Sequence, residues 1–435
     1  MIDVCIIDGN FLLHTLPAAK LPATLGGVAR SYLIQAVSLS PKRVDIVFDD
    51  YPSPSVKDCE RGRRGIDDNQ LYVIGGPEQV RPKNFESALT SRSFKQQFPL
   101  FLAEEWHDQS YTHIIGPRDV YVGIRGYCYH YYVLDGRVVR ESVEDMVTNH
   151  EEADTMVCFH ARCMDNSGKI GNIIVRASDT DIAIILLYHS PTFTATLWMD
   201  TGTNARNTRR YINLTAVGEV MGPLLCQSLP AFHAFTGCDY TSAFVRKGKK
   251  RPFAKLEKNK DIQQAFVSLG SDKGVTDSDR KSLQVFTASM YGAKQKESLM
   301  PLNKFRYKLF QKAYGPKATA KNPLEKLKGL DASGLPPCES ELKCHINRSA
   351  FIAKMWANAD KKEIHQHPKK HDGWELEDDT YNIVWFDGDQ LPGTLVPEED
   401  DAVSNVGEND DDFVLSSDDE AGDLGSDEET PGDSK

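Results

Sequence analysis

The sequence predicts an α/β fold, a mostly parallel sheet flanked by helices, across roughly its first 240 residues. Two observations carry this. Strand-like and helix-like segments alternate along that stretch, and the strand candidates are short, near-continuous β-branched runs of the kind that suits burial on both faces. These runs fall at residues 2–7, 44–48, 112–115, 172–176 and 194–199. Residues 25–38 read as a helix between the first two. A further helix is expected from Asn149, because Ala153, Met156, Val157, His160/Ala161 and Met164 follow i, i+3, i+4 spacing.

The rest of the chain divides by composition. Residues 51–108 turn polar and irregular and then partly helical, an insertion in a minimal α/β unit, and residues 240–270 form a basic, helical stretch. Together these belong to a core spanning 1–330. Residues 331–396 form an extension expected to pack on that core, and 397–435, rich in Asp, Glu, Ser and Gly, form an acidic tail expected to be disordered. The formal net charge of −12 averages two unlike parts: residues 371–435 hold 23 acidic residues and one Lys, leaving 50 basic and 40 acidic residues before them. A basic body with an acidic tail is compatible with nucleic acid. No apolar run reaches the roughly 18 residues of a membrane span, and no charged-then-apolar leader opens the chain, so neither a membrane partner nor secretion is expected. Nine scattered cysteines without a C-x-x-C pair point to a reduced nuclear or cytoplasmic setting.

The candidate chemistry lies where strands end. Ile6-Ile7 leads into Asp8, Val47-Phe48 into Asp49, and the run at 172–176 into Asp179 and Asp181. In an open parallel sheet, sites form beyond the C-terminal ends of the strands. Glu152 and Asp154 open the helix expected from Asn149, and Asp239 stands in Thr-Gly-Cys-Asp-Tyr. Carboxylates gathered this closely repel one another unless cations hold them. A donor set of hard oxygens suits Mg²⁺ or Mn²⁺, and two such ions can promote hydrolysis of a phosphodiester. Each acid also has a plainer role. Aspartate suits turns after strands, Asn149 and Glu152 have capping-box spacing, and Asp154 suits a helix start. Asp200, after Leu-Trp-Met, reads as a turn residue.

In chain order these residues resemble the flap endonuclease/XPG-type 5′-nucleases, whose core is PIN-like. The resemblance runs through Ile6-Ile7-Asp8-Gly9-Asn10, Val47-Phe48-Asp49-Asp50, Glu151-Glu152-Ala153-Asp154, Ser178-Asp179-Thr180-Asp181 and Gly237-Cys238-Asp239-Tyr240. It implies a structure-sensitive endonuclease acting on flap, nicked or branched DNA, rather than RNA, as a monomer. The seven acids Asp8, Asp49, Glu152, Asp154, Asp179, Asp181 and Asp239 would hold one or two Mg²⁺, leaving a 5′-phosphate and a 3′-hydroxyl. Lys57 and one of Arg61, Arg63 or Arg64 would approach the scissile phosphate. The run Arg246-Lys247-Gly248-Lys249-Lys250-Arg251 is similar to the family's helix–two-turn–helix grip on the duplex backbone, with Arg246 in place of its first glycine. The chain departs from the pattern in three ways. The first strand begins at residue 2 with no helix before it, residues 71–106 carry no motif of the family's helical arch, and no sliding-clamp docking run is found. An inactive nucleic-acid-binding or scaffold protein on the same fold is the alternative. A phosphatase of the haloacid dehalogenase type is set aside because Asn10 stands where its second Asp is needed.

Weaker features complete the reading. Cys338, Cys344, His345, His365, His367 and His371 match no standard zinc spacing. Trp374 and Trp385 are expected to pack a small terminal element against the core. The basic run from Arg246 also suits nuclear import. The acidic tail carries serines in acidophilic-kinase contexts and could compete with DNA for the basic body.

Overall fold

In the computed structural model, residues 3–17, 20–63, 71–204, 206–314 and 332–386 are described. Eight strands form one sheet: β1 Val4–Asp8, β2 Arg43–Val47, β3 Asp119–Ile124, β4 Tyr127–Leu134, β5 Arg137–Ser142, β6 Asn172–Arg176, β7 Thr196–Thr201 and β8 Arg210–Asn213, in the order β5-β4-β3-β2-β1-β6-β7-β8. The five from β3 to β7 in that order run parallel, and β4, β5 and β8 are antiparallel additions at the edges. The fold is thus α/β with a mostly parallel sheet flanked by helices.

Side-chain alternation explains why the central strands are apolar throughout. Cys5 and Ile7 of β1 join Val44 and Ile46 of β2 in one buried cluster, while Val4 and Ile6 join Val47, Ile173 and Val175 in another on the opposite face. The first face is covered by helix Leu25–Val37, capped by Thr24 at Gly27 N, and by helix Arg92–Glu105. The second is covered by helices Ala153–Asn166 and Thr180–His189. A third, all-helical cluster centres on Phe232, Phe235, Phe266 and Phe286, among helices Pro223–Thr236, Lys260–Leu269, Asp277–Met290 and Glu339–Ala357.

Several expectations need correction. Residues 112–115 are not a strand: Thr112–Ile115 is a single helical turn, ended by Gly116 at φ 57°. The strand lies just beyond, in β3, and opens a three-stranded antiparallel meander. Its turns, Arg125-Gly126 and Asp135-Gly136, hold both residues at positive φ, the geometry that matches strand twist in a two-residue hairpin. The helix expected from Asn149 begins at Ala153, with Glu152 as its N-terminal flank; Asn149 instead exchanges hydrogen bonds with the backbone of Ile364. Asp200 lies inside β7, buried and paired with Arg176 (2.9 Å) and Arg209 (2.7 Å).

The later half of the 51–108 segment is part of the core. Phe94, Phe98, Leu102 and Trp106 share a buried cluster with β1, and Trp106 stacks on Tyr32 at 5.6 Å. In the extension, Trp374 of a small hairpin (Trp374–Glu377 and Thr380–Ile383) is buried against Phe351, whereas Trp385 is 61% exposed. His345 hydrogen-bonds the Phe235 carbonyl at 2.7 Å. Among the described residues no helix is long and apolar enough to cross a membrane. The acidic tail, 397–435, lies outside the described residues.

Candidate metal and nucleic-acid site

Strand order creates the site. β1 is followed in the sheet by β2 on one side, and β6 by β7 on the other, so the chain leaves these two adjacent strands in opposite directions. The crevice at their C-terminal ends is where an open parallel sheet offers a binding site. Asp8 ends β1, Asp49 follows β2, and Asp179 follows β6. The start of helix Ala153–Asn166 brings Glu152 and Asp154 to the same edge: the Ala153 amide donates to Asp49 Oδ1 at 2.8 Å.

The acids there feel one another. Burial, then the charges of Asp49 and Asp179, push the Asp8 carboxyl up to about 7, against the pull of the Phe11 amide that it caps at 3.0 Å. Burial and the charge of Asp179 raise Asp154 well above the ordinary carboxylate range, with Asp181 and Asp49 adding to the effect. Asp179 is raised as well, by burial and by Asp181, although it accepts the Asp181 amide at 2.8 Å. Among the described residues, no hydrogen-bond donor or ion-pair partner meets the Asp154 carboxyl within contact distance. Asp49, by contrast, accepts from Asn10 (2.8 Å) and Tyr51 (3.0 Å) as well as from Ala153.

Two acids are already contacted by basic side chains of the protein itself. Lys57, on the first turn of helix Lys57–Arg63, is buried with its Nζ 2.8 Å from Glu152 Oε2 and 4.7 Å from the centre of the Tyr240 ring. Burial works against its charge, but Glu152 and the neighbouring acids hold the ammonium well above its usual range. His233 Nε2 lies 2.8 Å from Asp181 Oδ1. Burial raises Asp181, yet the His233 hydrogen bond and charge bring it below the ordinary value. Neither the Asp181–His233 contact nor the burial of Lys57 was legible in the sequence. His233 lies six residues before Asp239 on an apolar helix, with nothing in the spacing to mark it.

Asp179, Asp181 and Asp239 line one cavity of about 280 Å³ together with His233, Cys238 and Lys249. Asp239 is exposed at its rim, in the loop that follows helix Pro223–Thr236. That loop runs into helix Lys250–Glu257, so a helix, a turning loop and a second helix stand beside the acids. Arg246 takes φ 57°, a left-handed conformation that glycine adopts most easily, at the position where the resembled pattern carries glycine. Arg246, Gly248, Lys250 and Arg251 are exposed. Lys247 is partly covered, with its Nζ 4.8 Å from the Tyr291 ring centre. Lys249 turns inward, donating to the carbonyls of His233 (2.9 Å) and Gly237 (2.6 Å), and burial brings its ammonium down to about 8. It therefore caps the C-terminal end of helix Pro223–Thr236, where cations are favoured. Arg61 and Arg63 fall on the last turn of helix Lys57–Arg63, and Arg64 lies outside the described residues.

The donor set fits a hard divalent cation: carboxylate oxygens, mutually repelling, with Asp154 left without a proton donor. Among the described residues no three His, Cys, Asp or Glu side chains already stand as a finished coordination group. Lys57 holds Glu152, and His233 contacts one oxygen of Asp181, leaving its second oxygen uncontacted by that histidine. No protein-family model matches the chain, and no curated protein matches it.

Proposed function

We propose that the chain is a PIN-like, metal-dependent nuclease that hydrolyses phosphodiester bonds of structured DNA. The observation that carries this reading is the meeting of Asp8, Asp49, Asp154 and Asp179 at the edge where β1 and β6 diverge, each of three raised by the others' charge or by its neighbours'. Such repulsion is tolerated where a divalent cation is to be received. Asp8, Asp49, Glu152, Asp154, Asp179, Asp181 and Asp239 would hold one or two Mg²⁺ or Mn²⁺. A divalent cation bound there supplies charge for the phosphate and lowers the pKa of an attacking water.

The chain's own residues do the remaining work. Asn10 and Tyr51 fix Asp49. Lys57, released from Glu152, would bring positive charge to the scissile phosphate, with Arg61, Arg63 or Arg64 beside it. Arg246, Lys250 and Arg251 present cations to a duplex backbone without reading its sequence, so binding weakens steeply with salt. The test is Mg²⁺- or Mn²⁺-dependent cleavage of flap, nicked and single-stranded DNA by the full chain, with Asp179→Asn/Asp181→Asn as the control. Metal-dependent products lost in the control support the reading.

A second reading, a nucleic-acid-binding or scaffold protein without turnover, is favoured by one feature: Glu152 is already ion-paired with the buried Lys57. Salt-sensitive DNA binding with no cleavage under either metal would establish it in place of the first.

A further inference from the structure

The buried histidines divide by what they touch. His150, His189 and His345 each hydrogen-bond a backbone carbonyl, of Lys361, Trp356 and Phe235 respectively, which is how a core histidine is ordinarily satisfied. His160 meets Asp45, but Arg43 grips the same carboxylate with two hydrogen bonds. His233 differs from all of these. Its Nε2 lies 2.8 Å from Asp181 Oδ1, a close contact that pulls that carboxyl down more than any other side chain does. Its partner lines the cavity with Asp179 and Asp239.

His233 is itself held. It lies on the last turn of helix Pro223–Thr236, where Lys249 from the basic loop donates to its backbone carbonyl, and its ring lies 6.0 Å from that of Trp356. A cationic or polar side chain held against one carboxylate oxygen favours one rotation of the group and so biases where the other oxygen faces. This is the arrangement by which an outer residue orients a metal-ligating carboxylate. Building on the nuclease reading, we propose that His233 is a positioning residue: it fixes Asp181 Oδ1 so that Oδ2 faces the cavity as a donor to a divalent cation. Lys249 makes the basic loop part of the same support, because it anchors the turn from which His233 projects.

The test is Mn²⁺ binding to the full chain, followed by the loss of the free-ion electron paramagnetic resonance signal, with no dependence on turnover. His233→Leu and His233→Ala remove the donor, and His233→Gln restores an N–H able to reach Asp181. Thermal melting in a chelator shows which variants are folded, and two removing substitutions are made so that one unfolded variant does not end the test. The expected result is Mn²⁺ affinity weakened about tenfold in the removing variants, with His233→Gln recovering most of it. In an Asp181→Asn background, His233→Leu should then add nothing further. Removing variants that bind Mn²⁺ as the natural chain does, or more tightly, overturn the proposal while leaving the nuclease reading standing. A natural chain that binds no Mn²⁺ overturns both.

Discussion

Two sets of aspartates in one sheet are treated in opposite ways. Asp45, in the middle of β2, is fully buried, yet Arg43 (2.6 and 2.9 Å) and His160 (2.8 Å) surround its carboxylate and outweigh burial, bringing it to about 2. Asp200 in β7 is similarly enclosed by Arg176 and Arg209. At the C-terminal edge a few residues away, Asp8 and Asp154 are pushed in the other direction, and the groups nearest them include further acids. The interior acids are matched with cations as the chain folds, whereas Asp8, Asp154 and Asp179 at the edge keep a net repulsion that the nearby Lys57 only partly offsets for the last two. Buried charge of the first kind is structural, and its partners come with the sequence. Charge of the second kind is out of balance in the protein alone, which is why the edge, and not the interior, is where function is sought.

The largest effect expected of this contrast is on stability. Asp45→Ala leaves the Arg43 guanidinium without its buried partner and should cost about 3–5 kcal/mol, read in chemical denaturation. A loss under about 1 kcal/mol would erase the distinction between the two sets. Asp179→Asn/Asp181→Asn should do the reverse. Metal-dependent cleavage should fall by at least about a hundredfold, equivalent to roughly 2.7 kcal/mol, with the fold retained. Unfolding of this variant would move the edge acids into the structural class.

A pH experiment sharpens the comparison further. Asp8 has a folded pKa near 7, above the unfolded carboxylate range near 4. Its contribution to stability is fully present below about 4 and declines as pH rises through about 7, because the unfolded chain gives up that proton first. In a chelator, thermal stability should therefore slope downward over that window, and Asp8→Asn should flatten the slope. For Asp45 the sign is opposite. Its folded value lies below the unfolded one, so its contribution is present at neutral pH and is lost as pH falls from about 4 through about 2. An Asp8→Asn slope identical to that of the natural chain would remove the edge acid from the account. The smallest expected change belongs to the basic loop: Arg246→Gly should raise stability by up to about 1 kcal/mol by relieving the left-handed φ at that position, measurable as a small rise in melting temperature.

What could be read from the sequence followed from short-range pattern. β1, β2 and β6 are legible because strands buried on both faces leave unbroken apolar runs, and Asp8, Asp49 and Asp179 follow directly from where those runs stop. The meander β3–β5 was missed because its strands alternate polar and apolar residues, although the Asp135-Gly136 turn was a usable hairpin signal. Thr112–Ile115 misled because β-branched side chains describe a pleated surface only when a neighbouring strand is present, and here Gly116 ends a helical turn instead. Asn149 has the spacing of a cap but is taken up by Ile364, more than 200 residues later. His233–Asp181 and Lys57–Glu152 are likewise tertiary facts, joining residues 52 and 95 positions apart.

The ion pair between Lys57 and Glu152 bears on how the molecule is made. Many sites built from clustered acids assemble only when an ion is on hand to draw them together. Here Lys57, on an adjoining helix, supplies a counterion to Glu152 from within the chain, so that part of the crevice is charge-balanced as soon as the two elements meet. Replacing that lysine with methionine should lower refolding yield in a chelator, because the buried Glu152 loses its ammonium partner.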